Sequence, residues 1–123
     1  MSEPVVVKEF RLKLYPKDFA LTRSFYEQQL QFPVINEWDR GDNDKGVMFD
    51  VGGTTLEILS PEGNYRPITG CDLSLEVPDV AALWEQMKDG DNILHPLRHN
   101  DWGDTSFRAS DPEGFAISFF TKG

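Results

Sequence analysis

One order of local signals, strand-helix-strand-strand-strand, runs through this sequence twice, and that repetition limits the folds open to it. In the first pass, residues 6–15 (VVKEFRLKLY) end in alternation. Phe10, Leu12 and Leu14 fall on one face, and Arg11, Lys13 and Tyr15 on the other, the period of a half-buried strand. Pro16 stops it, and Asp18 can cap a helix over about 19–31, with Phe19, Phe25, Tyr26 and Leu30 as apolar members. Strands are expected over 33–40, 45–51 and 54–60, with Gly52-Gly53 as a two-residue hairpin signal between the last two. A Pro/Gly-rich connector spans 61–70. The second pass opens with alternation over 71–77. Asp79 then caps a helix in which Val80, Leu83, Trp84 and Met87 keep helical spacing, and Gly90 ends it. Strands are expected over 92–98, 104–110 and 114–121, the last two joined by a turn at Asp111–Gly114.

The helices also share a fragment: FYEQQ at 25–29 lies over LWEQM at 83–87, an offset of 58 residues. A period near 60 marks a duplication, because a solenoid needs at least three copies. One βαβββ module cannot cover both faces of its small sheet, whereas two side by side build a larger one. The expected fold is α+β, a single domain over 1–123 with module 1 at about 6–60 and module 2 at about 71–121. The two modules would form a curved mixed sheet, a concave cup with the helices on its convex side. Leu12, Leu14, Leu56, Ile58, Leu73, Leu75, Ile117 and Phe119 would pack under the helices. The other face would carry Arg11, Lys13, Tyr15, Thr55, Glu57, Asp72, Ser74, Glu76, Ser118 and Phe120. Such a face is either a ligand site or a solvated surface whose charges pair with one another.

Charge narrows the partners. Lys plus Arg number 12 against 21 Asp plus Glu, a net charge of -9. That balance excludes nucleic acid and anionic membrane surfaces as default partners, because both require a basic face. It leaves small cationic or neutral ligands. Cys71 is the one cysteine, so no intrachain disulfide exists. The start of the chain lacks a signal-peptide pattern and no stretch approaches a membrane span, so a cytoplasmic location is expected. His95 and His99 have metal-ligand spacing for a helix, but Pro96 lies between them and the segment reads as extended. Four residues of strand span roughly 13 Å, too far to share an ion.

The repeat and four stretches, DFALTRSFY, TTLEIL, VPDVAALWEQM and DPEGFAISFF, together resemble the glyoxalase/bleomycin-resistance/extradiol-dioxygenase group, the vicinal oxygen chelate proteins. The resemblance covers about residues 8 to 121. Enzymes of that group hold a divalent metal with four side chains, and the resemblance places those positions on Arg11, Glu57, Asp72 and Ser118. A guanidinium offers a metal no lone pair, and a hydroxyl is a weak ligand. No metal and no cofactor are therefore expected, with Arg11 neutralising Glu57 and Asp72 instead.

Within the group, residues 101–120 (DWGDTSFRASDPEGFAISFF) resemble the tail of the metal-free bleomycin-resistance type, the nearest fit. The resemblance implies a non-catalytic homodimer that sequesters a cationic, partly aromatic small molecule. Trp38, Phe49, Trp102 and Phe107 are candidates for stacking on it, and Glu37, Asp39, Asp42 and Asp44 for supplying negative potential. Arg11, Lys13, Glu57, Asp72, Ser74 and Ser118 would line the pocket floor. The alternative is an enzyme with an unusual or absent metal site, using Glu57 as a base held by Arg11. A third reading is an interaction protein whose concave face takes a partner chain.

Overall fold

The computed structural model describes residues 3–60 and 65–123. Residues 61–64 of the expected connector lie outside the described residues. The chain divides into two compact units, 1–67 and 68–123, and each is one βαβββ module.

In the first unit, β1 (Arg11–Leu14) is followed by α1 (Phe19–Ser24), a π-helical turn (Phe25–Gln29), β2 (Val34–Asp39), β3 (Lys45–Val51) and β4 (Thr54–Ser60). The sheet order is β1-β4-β3-β2, with β1 parallel to β4 and the other pairs antiparallel. The second unit repeats this with β5 (Leu73–Glu76), α2 (Val80–Met87), β6 (Ile93–His99), β7 (Thr105–Ser110) and β8 (Ala116–Thr121), in the order β5-β8-β7-β6. Both sheets are mixed, because a helix crossover returns the chain parallel while hairpins return it antiparallel.

Local chemistry sets the boundaries. Asp18 Oδ1 accepts from the Leu21 amide at 2.9 Å and Asp79 Oδ1 from the Ala82 amide at 3.1 Å, so each carboxylate caps its helix. Gly52 and Gly53 turn with φ of 58° and 82°, a conformation that suits glycine, and β3 and β4 end and begin there as expected. Buried Asp111 closes the β7–β8 turn by accepting from the amides of Glu113 at 2.8 Å and Phe115 at 3.0 Å.

Two expectations change. The first strand begins at Arg11 rather than near residue 6, and Val5, Val6, Val7 and Phe10 are exposed. The expected first helix is α-helical only to Ser24, then widens into a π turn over FYEQQ, the fragment that is α-helical in its LWEQM counterpart. The wider turn lets adjacent Phe25 and Tyr26 both reach the core, their rings edge-on at 5.0 Å. Asp18 stands seven residues before Phe25, but Asp79 only four before Leu83. The caps therefore repeat at an offset of 61, and the shared helix fragment misaligns them by three.

The inward faces follow the alternation. Leu14, Leu56 and Ile58 are buried in the first unit, with Val47, Phe49 and Tyr26. Ile117 and Phe119 are buried in the second, where Phe107 stacks on Phe119 at 5.1 Å and meets Trp84 at 5.3 Å. Leu12, Leu73 and Leu75 are half-buried. No helix among the described residues is long and apolar enough to cross a membrane.

Candidate functional site

Strand register decides which side chains share the helix-free face of each sheet. In the first unit Lys13 lies opposite Glu57, Glu57 opposite Met48, and Met48 opposite Asn36. Trp38 lies opposite Gly46 on that same face. Arg11, one alternation from Lys13, reaches the same row. Glu57 is unusual there. It is 5% exposed, and among the described residues its Oε1 has no hydrogen-bond partner. Arg11 Nη1 stands 3.6 Å from that oxygen, an ion-pair distance but too long for a hydrogen bond. The guanidinium is held by Glu9, to whose Oε1 it donates from Nε at 2.7 Å. That hydrogen bond foremost, and Glu57 more weakly, holds the Arg11 pKa above its ordinary value. Glu9 Oε2 in turn accepts from the buried Thr55 hydroxyl at 3.4 Å.

Trp38 is half-buried, and its ring lies across Gly46, where a Cβ would come within 2.1 Å of the indole. Its Nε1 donates to Asp44 Oδ1 at 3.2 Å, and the Arg40 guanidinium sits 5.9 Å from the ring. The β2–β3 hairpin thus holds the indole in place. Its acids are not a free negative rim as expected. Glu37 is paired with Arg23, Asp44 with Arg40 at 2.8 Å, and Asp42 with Lys45 at 3.4 Å. Asp39 Oδ1 accepts from the Gly41 amide at 3.1 Å.

In the second unit, Ser74 lies opposite Ser118, and Ser118 opposite Arg108. Arg108 donates to Asp72 Oδ2 at 3.1 Å. Asp72, expected beside Arg11, is thus paired within its own module. Glu76 pairs with Lys122 at 3.9 Å. Phe49 and Phe107, expected as stacking side chains, are fully buried on the helix side of their sheets, because alternation places them with Val47 and Phe119. Trp102 is 74% exposed in the turn between β6 and β7, apart from these rows.

Sequence reasoning missed Arg108 and Glu9. Arg108 was missed because its neighbour Phe107, expected as a stacking side chain, is buried in the core, which turns Arg108 to the other face. Glu9 lies before the strand, where no period applies.

The chain belongs to the Glyoxalase/Bleomycin resistance protein/Dioxygenase superfamily, whose pattern it matches over residues 9–119. Solved structures similar to it include a glyoxalase/bleomycin resistance protein/dioxygenase from Alicyclobacillus acidocaldarius, 17% identical, with a TM-score of 0.68, covering 94% of this chain and 91% of that one. A lactoylglutathione lyase from Agrobacterium tumefaciens is 16% identical, with a TM-score of 0.68, covering 97% and 95%. TioX from Micromonospora sp. ML1 is 17% identical, with a TM-score of 0.75, covering 95% and 100%. At such identities the likeness establishes the fold. No curated protein sequence matches the chain.

The residues present do not fit the superfamily's divalent metal. A guanidinium stands 3.6 Å from Glu57, where a cation would have to approach. Asp72 is committed to a second guanidinium, and Ser118 brings only a hydroxyl. No group of three or more His, Cys, Asp or Glu suited to an ion occurs among the described residues. His95 and His99 have separate partners, Arg98 and Thr105.

Proposed function

We propose that this protein binds a small molecule on the helix-free face of its first module, without metal chemistry and without transforming it. The buried Glu57 carboxylate carries the reading. An oxygen withdrawn from water without a donor is costly, and a ligand N–H or ammonium would supply that donor. Trp38, two strands away on the same face and about 10 Å across the sheet, offers a flat apolar surface to the rest of the ligand. A cationic, partly aromatic molecule satisfies both. On this reading the protein works in the cytoplasm, consistent with the exposed free thiol of Cys71. It works as a pair of copies, consistent with the uncovered apolar arm at Val5–Val7.

Thermal melting with bleomycin and with a cationic phenazine dye tests this. Ligand at a hundred times its dissociation constant adds about 2.7 kcal/mol, a rise of roughly 10 °C in Tm. Glu57→Gln and Trp38→Ala should each weaken the response. Stoichiometric zinc, nickel, iron or manganese in protein purified without chelator would overturn the metal-free reading. The same bare oxygen favours a second reading, in which Glu57 takes a proton from the bound molecule. Chemical change in recovered ligand that Glu57→Gln abolishes would establish it.

A further inference from the structure

The second module carries a cationic group that the acidic composition conceals. Register puts His95 opposite Arg108 and Arg98 opposite Ser106, on the helix-free face that also holds Ser118 and Ser74. Arg98 and Arg108 sit on adjacent strands, with their anchor positions two residues apart along β7, about 7 Å.

The hydrogen bonds around Arg98 have only one consistent direction. His95 Nδ1 lies 2.9 Å from the Pro96 carbonyl oxygen, which can only accept, so Nδ1 carries the proton. His95 Nε2 lies 3.0 Å from Arg98 Nη1, which can only donate, so Nε2 offers its lone pair. Arg98 is therefore oriented by a neutral ring. Among the described residues it has no carboxylate partner, and its charge is not cancelled. Arg108 gives one of its nitrogens to Asp72 and keeps the others. Ser106 Oγ accepts from Asn100 Nδ2 at 2.8 Å, which leaves its hydroxyl hydrogen to donate.

We propose that this face binds an anionic group, a carboxylate or a phosphate ester, between Arg98 and Arg108, with Ser106 as a further donor. Planar guanidiniums match both anions bidentately, and holding one of them in advance lowers the entropy cost of binding. All the residues of this site lie in the second module, so the proposal uses none of the residues argued for ligand binding in the first.

Titration at pH 8 with inorganic phosphate and, separately, acetate tests it, read by the arginine Nε–H NMR signals against sodium chloride of equal ionic strength. Saturable binding of either anion supports the site, and the two arms tell phosphate from carboxylate. Arg98→Gln should weaken it by about tenfold or more, the loss of a charge-assisted hydrogen bond. Arg40→Gln should leave it unchanged. Arg108→Gln also removes the Asp72 pair, so Arg98→Gln, which breaks no ion pair among the described residues, is the primary variant. Absence of saturable binding to the wild-type chain, or undiminished binding in Arg98→Gln, overturns the proposal.

Discussion

Arg11 Nη1 stands 3.6 Å from Glu57 Oε1, and this is the charge relationship on which the first module's helix-free face turns. Removing Arg11 leaves a buried carboxylate without its nearest cation. Arg11→Gln should lower Tm, and Arg11→Gln/Glu57→Gln should recover most of the loss. A double variant as unstable as the single one would show that Arg11 acts through Glu9 alone.

Gly46 permits the position of Trp38. A methyl group there would meet the indole at 2.1 Å, so Gly46→Ala should displace the ring and destabilise the fold by about 1–3 kcal/mol. Urea melts should show that cost, with Trp38 emission shifted to the red. In a Trp38→Ala background the same substitution should cost much less.

Asp44 gives the β2–β3 hairpin a pH dependence. The hydrogen bond from Arg40, foremost, holds its carboxyl below the ordinary value of 3.8. A depressed carboxylate contributes its stability fully above the unfolded value and loses it as pH falls through the lower folded one. The Trp38 contact should therefore persist at pH 5 and fade below about 3.8. Fluorescence of a chain with Trp84 and Trp102 replaced by Phe would follow it. Asp44→Asn should abolish that acid transition.

Phe107 and Trp102 should separate sharply in unfolding experiments. Phe107 is buried between Trp84 and Phe119, so Phe107→Ala should cost about 3–5 kcal/mol. Trp102→Ala, at an exposed turn, should change stability by less than about 0.5 kcal/mol.

Much of each module was legible because its signals are local. Gly52-Gly53 fixes the ends of β3 and β4, the caps Asp18 and Asp79 fix where the helices start, and period two separates Leu56 and Ile58 from Glu57. The π turn was not legible, because FYEQQ and LWEQM look alike until Phe25 and Tyr26 must both find a core. The site was legible as a face but not as a set of partners. Arg11 and Glu57 were expected together and are together.

Sequence alone therefore determined the βαβββ repeat and the inward and outward faces of β1, β4, β5 and β8. Tertiary structure decided the rest. Alternation assigns a residue to a face but says nothing of its neighbour on the next strand. That depends on register and side-chain reach: Arg108, registered against Ser118, extends to Asp72. Pairing likewise decides which charges are cancelled. Glu37, Asp42 and Asp44 are each matched with a nearby cation, while Arg98 rests on a neutral imidazole and keeps its charge.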